Sequence, residues 1–302
     1  MSKAYAFTAY GGPEVETFVD RPRPAPGPGQ LLVRVYAAGV NPSDWKRRSG
    51  IFPGPPVTEP LVLGSEAAGI VEEGDGDGFA VGDAVFGYPA TGAYAEHALF
   101  PVELTARKPE AVSFAVAATL PVAAATAYDG VDNLDLPEGA TILITGVGGG
   151  VGMAAAQIAL HRGLVVIGTA SAAKREFLES LGIRAVAYGD GVADRIRAVA
   201  PDGVDGIFDL IGGPALEAVG GLLRQPGRLV TATDPGTAGR LGGAMIRRDR
   251  GRRVLDEVGR LTAEGVLKPT ITNTYPLDKA GDALREVESG HARGKVVIEV
   301  AA

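Results

Sequence analysis

The stretch TILITGVGGGVGMAAAQIAL, residues 141–160, constrains this chain more than any other. An apolar run stops at four glycines in the five residues 146–150 and resumes as an alanine-rich segment with helical character. Bare backbone between a strand and a helix lets a phosphate approach, turns N–H groups outward and places the partly positive helix N-terminus behind them. The dinucleotide fingerprint requires glycines at spacings of two and three. Aligned here it reads Val147-x-Gly149-x-x-Gly152, with Gly146, Gly148 and Gly150 as further bare positions. Its first position is a valine, and a β-branched residue resists positive φ. Val147 is therefore expected to stay extended, with the tight turn at Gly148 or Gly149. Val147, Gly148, Gly149, Gly150 and Val151 form the expected pyrophosphate cradle.

The surroundings supply the context that a bare glycine motif needs. From Thr141 onward, apolar strands (TILIT, LVVIGT at 164–169, AVAY at 185–188, GIFDLIG at 206–212, RLVTAT at 228–233) alternate with helical segments near 151–162, 173–181, 192–199 and 214–224. Such near-continuous apolar runs suit parallel strands covered on both faces. Gly163 and Gly182 stand where helix C-caps are wanted, and Pro214 suits a first helical turn. The pattern predicts a doubly wound parallel sheet in an α/β chain. Before about residue 120 the sequence is rich in Pro, Gly and short β-like runs (31–40, 67–74, 82–88), which predicts a mostly-β domain. A helix near 277–289 and the strand KVVIEV at 295–300 close the chain. The expected division is residues 1–121 plus 272–302 for one domain and 122–271 for the other.

The end of the second strand of such a sheet selects the cofactor. A carboxylate there binds a ribose 2′-hydroxyl and favours NAD. The window LVVIGTASAAK has no acid; it offers Ser171 and Lys174, with Arg175 next to them and Tyr188 at the end of the third strand. These groups suit a 2′-phosphate, so NADPH is the expected cofactor, the other reading of Lys174 being an ordinary solvated lysine. Ligands lie at the carboxyl ends of such strands, so the backbone of Ile211 and Gly212 is expected beside the nicotinamide.

Composition narrows the remaining classes. With a formal net charge of −7, a general affinity for nucleic acid or anionic membranes is not expected. There is no cysteine, hence no thiol nucleophile or thiolate metal site, and the only imidazoles are His97, His161 and His291. The N-terminal segment lacks a signal-peptide core, and no 18-residue apolar run is free of glycine or charge. A soluble, cytoplasmic protein is the default expectation.

The stretches AAGVNPSDWKRRSG (37–50), PLVLGSEAAGIVEEG (60–74), GDAVFGY, PVAAATAYDG (121–130) and ITGVGGGVG, with the tail GKVVIEV, resemble the medium-chain dehydrogenase/reductase superfamily, and most closely its zinc-free quinone oxidoreductase branch. The resemblance implies a GroES-like catalytic domain, a Rossmann domain, NADPH between them, and a homodimer. Zinc alcohol dehydrogenases of this superfamily bind the metal through Cys, His and a second Cys or acid. The matching positions here are Asn41, Ser65 and Val122, and the four-cysteine structural lobe is missing, so no metal is expected. Without that Lewis acid, the reaction left is hydride delivery to an electron-poor acceptor, a quinone or an α,β-unsaturated carbonyl. Related enoyl-thioester reductases carry a tyrosine proton donor two residues after the glycine matching Gly50; that position is Phe52.

By the same resemblance, Asn41 is the candidate polar group near nicotinamide and acceptor, or else a turn residue before Pro42. Trp45 walls the acceptor pocket or packs in the core. Thr126 reaches the nicotinamide end or sits inside a helix, and Lys295 contacts the cofactor or faces solvent. Asp44 is read as a structural salt-bridge partner. The run RRDRGRR at 247–253 is either a clamp for an anionic acceptor or a solvated helix start, and DPGTAGRLGGAM at 234–245 is expected to be mobile. Two further functional readings stay open at this stage: an enoyl-thioester reductase with another proton donor, and a non-catalytic NADPH-binding redox sensor.

Overall fold

The computed structural model describes residues 1–52, 54, 56–74, 76, 78–225, 227–290 and 294–300; His291 lies outside them. The chain divides into two compact units: Met1–Val122 with Arg250–Glu264 and Pro269–Ala302, and Ala123–Asp249 with Gly265–Lys268. In chain order the strands are β1 (Ser2–Phe7), β2 (Glu16–Arg21), β3 (Gln30–Val40), β4 (Leu61–Val62), β5 (Glu66–Glu73), β6 (Ala84–Gly87), β7 (His97–Pro101), β8 (Thr105–Arg107), β9 (Thr141–Ile144), β10 (Val165–Ala170), β11 (Arg184–Ala187), β12 (Gly206–Asp209), β13 (Leu229–Thr231), β14 (Ala244–Met245), β15 (Ile271–Pro276) and β16 (Lys295–Glu299).

The first unit is built on β3, long enough to pair with three partners. It runs antiparallel to β5, β7 and β16, within a sheet ordered β15-β16-β3-β5-β6-β8. The C-terminal strand thus joins the N-terminal sheet, with Val297 opposite Gly39. A second, three-stranded sheet has the order β2-β1-β4. Between them lies a core that includes Phe7, Leu31, Val33, Tyr94, Phe100 and Ile298, against which the half-buried Trp45 packs.

The second unit is a six-stranded sheet, β11-β10-β9-β12-β13-β14, parallel at every pairing. Counted within the unit this is the order 3-2-1-4-5-6, whose direction reverses between the first and fourth strands. The central strands are buried nearly throughout, as their unbroken apolar character requires. The helices between them are Gly150–His161, Arg175–Ser180, Val192–Val199 and Gly213–Gly220, close to the expected positions, and Pro214 occupies a first turn. Gly163 and Gly182 both take positive φ, as the helix ends demand.

The segment 234–245 holds regular structure: Asp234 caps the helix Pro235–Arg240 by accepting from Thr237 N, and Ala244–Met245 adds the last strand to the sheet. One expectation is corrected. The helix Arg252–Ala263, assigned by sequence to the Rossmann domain, clusters with the first unit instead. Its apolar stripe (Val254, Leu255, Val258, Leu261) is buried, and Gly259 comes close to Phe86 and Pro109. One helical stretch among the described residues, Phe114–Leu134, is long and apolar enough to cross a membrane, but 72% of it is buried within the protein, as a core helix would be.

Candidate functional site

Strand β9 ends at the switch point of the parallel sheet, and the glycine turn begins there. The turn is made at Gly146, with φ +68°; Gly148 and Gly149 keep negative φ, which corrects the expected position. The reason lies in Val147. Its N–H donates to the Thr169 carbonyl at 3.0 Å and its side chain is fully buried over Gly168, so the chain must reverse before it. Thr169 also accepts from Gly146 N at 3.1 Å through its hydroxyl. The helix Gly150–His161 is capped by Gly149, with no side-chain hydrogen bond to its end. Met153 donates to Gly149 O at 2.9 Å, so the amides of Gly150, Val151 and Gly152 precede the first intrahelical bond. A Cβ on Gly152 would stand 2.5 Å from Gly146 O, whereas one on Gly149 has nothing nearer than 3.6 Å. The cradle is open where a phosphate would enter and tight where helix meets turn, so the chain fits a bound pyrophosphate.

At the next strand end, Ser171 follows β10 and precedes a short helical turn, Ala172–Lys174. Tyr188 N donates to Ala170 O at 3.2 Å, which brings the 65% exposed Tyr188 beside this turn. Lys174 folds back over the glycine turn and donates to Gly148 O at 2.6 Å, while Arg175 pairs outward with Glu179. The structure therefore gathers Gly148, Ser171, Lys174 and Tyr188, and no acid lies in this stretch. The loop holding Tyr188 is stitched by Arg195, whose guanidinium donates to the carbonyls of Ala187, Tyr188, Gly189 and Asp190 at 2.8–3.3 Å.

Across the switch point, Ile211 is 55% exposed and lies over Gly146, and the backbone of Gly212 takes φ +80°. Both amides donate to Asp209 Oδ1, at 3.2 and 3.1 Å. Thr126 is buried in the helix Ala125–Leu134. Three residues downstream, Asp129 accepts from Arg248 at 3.0 Å and from Asp249 N, which ties the start of the arginine run down. Burial raises the Asp129 carboxyl pKa, against the pull of Arg248.

In the first unit, the residues at the zinc-ligand positions form a different device. Asn41 and Glu66 are buried, and Lys295 inserts between them. Lys295 Nζ donates to Asn41 Oδ1 at 2.6 Å and to Glu66 Oε1 at 2.9 Å; Asn41 Nδ2 donates to the same Glu66 oxygen at 2.8 Å; Glu66 Oε2 accepts from Val122 N at 2.6 Å. Lys295 thus spends its ammonium inside this unit. Beside it Asp44 accepts from Asn41 N and Tyr94 OH, each at 2.9 Å, and from Ser65 Oγ. Asp44 is thus a buried carboxyl held by neutral donors, not the salt-bridge partner expected. Its charge gains only hydrogen bonds, and burial pushes its pKa up to about 6 despite them.

This donor set does not fit zinc. The amide oxygen of Asn41 is held by the ammonium, Ser65 donates to Asp44, and the Val122 side chain has no metal-ligating atom. Among the described residues no group of three or more His, Asp or Glu side chains is arranged for a metal. Trp45 is half-buried, and Lys46 Nζ lies 5.7 Å from its ring and 5.9 Å from that of Phe52, which is 48% exposed. In the arginine run, Arg250 and Arg252 lie over the rings of Tyr88 and Phe79 at 5.8 and 4.8 Å.

Sequence reasoning did not single out Glu66, Thr169, Arg195 or Asp209. A buried acid inside an apolar strand was the signal available for Glu66 and Asp209. Arg195 carried none, because its partners are all backbone carbonyls.

Fold and site together define an α/β protein with a GroES-like unit and a dinucleotide-type Rossmann unit. Residues 27–110 match the family model described as alcohol dehydrogenase GroES-like domain, and residues 181–298 that of zinc-binding dehydrogenase. The chain is 32% identical to the synaptic vesicle membrane protein VAT-1 homolog of Mus musculus over 98% of its length and 83% of the relative's. It is 32% identical to 2-methylene-furan-3-one reductase of Solanum lycopersicum (98% and 78%) and 30% identical to quinone oxidoreductase of Pongo abelii (99% and 98%). Among solved structures, the quinone oxidoreductase of Coxiella burnetii superimposes with a TM-score of 0.88 at 31% identity, covering 99% of both chains. A mycobacterial protein solved in complex with NADPH gives 0.86 at 30% identity, covering 99% and 100%. The chain belongs to the medium-chain dehydrogenase/reductase superfamily, in its quinone oxidoreductase-like branch.

Proposed function

We propose that this protein is an NADPH-dependent, zinc-independent reductase that delivers hydride to a quinone or to the β-carbon of an α,β-unsaturated carbonyl. One observation carries the reading: an open glycine cradle with Ser171, Lys174 and Tyr188 beside it and no acid at the end of β10, a set of groups for a pyrophosphate and a 2′-phosphate. Relatives named as quinone and furanone reductases, and a structural neighbour complexed with NADPH, support it. When bound, the dinucleotide supplies the hydride.

The residues of this chain bind and orient. The amides of Gly150 and Val151 hold the pyrophosphate, Lys174 and Ser171 the 2′-phosphate, and Tyr188 packs on the adenosine end. Ile211, Gly212 and Thr126 bound the nicotinamide end. Asn41 contacts the acceptor: Lys295 holds its Oδ1 and Glu66 takes one Nδ2 hydrogen, which leaves the second for an acceptor oxygen. Trp45 supplies an apolar wall. Position 52 is phenylalanine, so the proton that completes reduction comes from water rather than from a tyrosine there. Holding donor and acceptor carbon within about 3–3.5 Å accounts for most of the acceleration, with no nucleophile or general base required. The protein is read as a soluble cytoplasmic homodimer without nucleic-acid or membrane partners; size-exclusion chromatography with light scattering tests the dimer. A steady-state assay with benzoquinones and enones, following loss of NADPH absorbance, tests the activity; absence of turnover with both classes would reject it.

A further inference from the structure

The loop Ile211–Gly212 is held in place by a buried acid that takes no part in hydride transfer. Asp209 ends β12 at the switch point, is fully buried, and accepts five hydrogen bonds, all from neutral donors. Its Oδ1 takes Thr145 Oγ1 at 2.7 Å and the amides of Ile211 and Gly212; its Oδ2 takes Thr231 Oγ1 at 2.7 Å and Thr233 Oγ1 at 3.3 Å. The hydroxyls of Thr145 and Thr231 pass the constraint on. Thr145 Oγ1 accepts from Leu210 N at 2.9 Å, and Thr231 Oγ1 accepts from the amides of Thr233 and Asp234, both at 3.1 Å. Asp234 in turn accepts from Gly213 N at 2.9 Å. One carboxylate therefore ties together the chain segments that follow β9, β12 and β13. The glycine turn leaves β9 directly after Thr145, and Ile211 lies on it.

We propose that Asp209 is a positioning residue for the nicotinamide end of the dinucleotide, setting the loop 210–213 against the Gly146 turn, a role that rests on the NADPH reading above. A carboxylate suits this node because all five of its partners are donors. An asparagine would turn an NH2 group toward one of the two donor sets. The bonds of Asp209 do not reach Ser171, Lys174 or Tyr188, so the adenosine end should not register its loss.

The test compares two ligands on Asp209→Asn: NADPH, which spans both ends, and 2′,5′-ADP, which carries only the adenosine half. The dissociation constant for NADPH is expected to rise roughly tenfold while that for 2′,5′-ADP stays within about twofold. Should Asp209→Asn not fold, Thr145→Val removes the linking hydroxyl and should show the same split, and Thr145→Ser should restore NADPH affinity. Equal weakening of both ligands, or no weakening of NADPH, would overturn the proposal. Failure of the unaltered protein to bind either ligand would overturn the NADPH reading itself, so the two failures are distinguishable.

Discussion

Replacing Glu66 by glutamine is the sharpest test of the polar cluster in the first unit. Glu66 is wholly buried, and so nearly is its partner Lys295, so solvent screens little of the pair. The substitution Glu66→Gln would remove the negative charge opposite the ammonium, whose other acceptors are the Asn41 and Val40 carbonyl oxygens. It would also turn an NH2 group toward Val122 N–H or toward the Lys295 and Asn41 donors. Removing one partner of a buried ion pair costs about 3–5 kcal/mol, because the remaining charge is stranded. For a unit of this size that lowers Tm by very roughly 10 °C. Trp45, the only tryptophan, packs on the core of this unit, so its fluorescence during urea unfolding reports on the right region. Lys295→Met should cost a similar amount, and the double variant should be less destabilised than the sum of the two by at least ~1.5 kcal/mol. A cost below ~1 kcal/mol for Glu66→Gln, or additivity within ~0.5 kcal/mol, would refute the idea that these charges stabilise one another.

Three other outcomes are expected. Asp44 has a folded-state pKa raised from 3.8 to about 6, so the folded protein holds this proton where the unfolded chain has released it. Its contribution is therefore most favourable below 3.8 and is lost as pH rises to about 6, on the order of 3 kcal/mol; Asp44→Asn should flatten that slope when urea midpoints are compared at about pH 4 and pH 7. Lys174→Ala should weaken NADPH about tenfold to a hundredfold in a fluorescence titration and leave NADH nearly unchanged, since a charge-assisted hydrogen bond is worth about 1.5–3 kcal/mol. Gly152→Ala places a methyl against backbone atoms at 2.5 and 2.6 Å and should cost ~1–3 kcal/mol by thermal unfolding, whereas Gly149→Ala, whose methyl would make only an ordinary contact at 3.6 Å, should leave Tm unchanged and weaken NADPH.

Local sequence carried the second unit well. Short apolar runs, helix periods between them, and glycine or proline at the caps are short-range signals, and each recurs in the fold, although the strand expected over 206–212 stops at Asp209 and the helix expected over 214–224 stops at Gly220. The glycine stretch was legible as a turn, but its reversal was misplaced. A motif alignment starts counting at Val147 and puts the turn at Gly148 or Gly149, whereas burial of that valine over Gly168 forces it back to Gly146. Likewise the arginine run 247–253 was read as an anion clamp or a solvated helix start, and neither reading showed that the helix Arg252–Ala263 would bury an apolar stripe against the first unit.

By itself, then, the sequence determined the α/β class, the strand–turn–helix cradle, the absence of an acid at the end of β10 and the absence of zinc ligands at 41, 65 and 122, because each depends on residue identity or on spacings of a few residues. Only the tertiary structure decided that Lys295 meets Asn41 across 254 residues and that Asp209 gathers three strand ends. Such contacts leave no periodic trace in the chain: a buried charge is tolerated wherever distant backbone and side chains supply its partners, and that is settled by how the sheets close rather than by any neighbour in sequence.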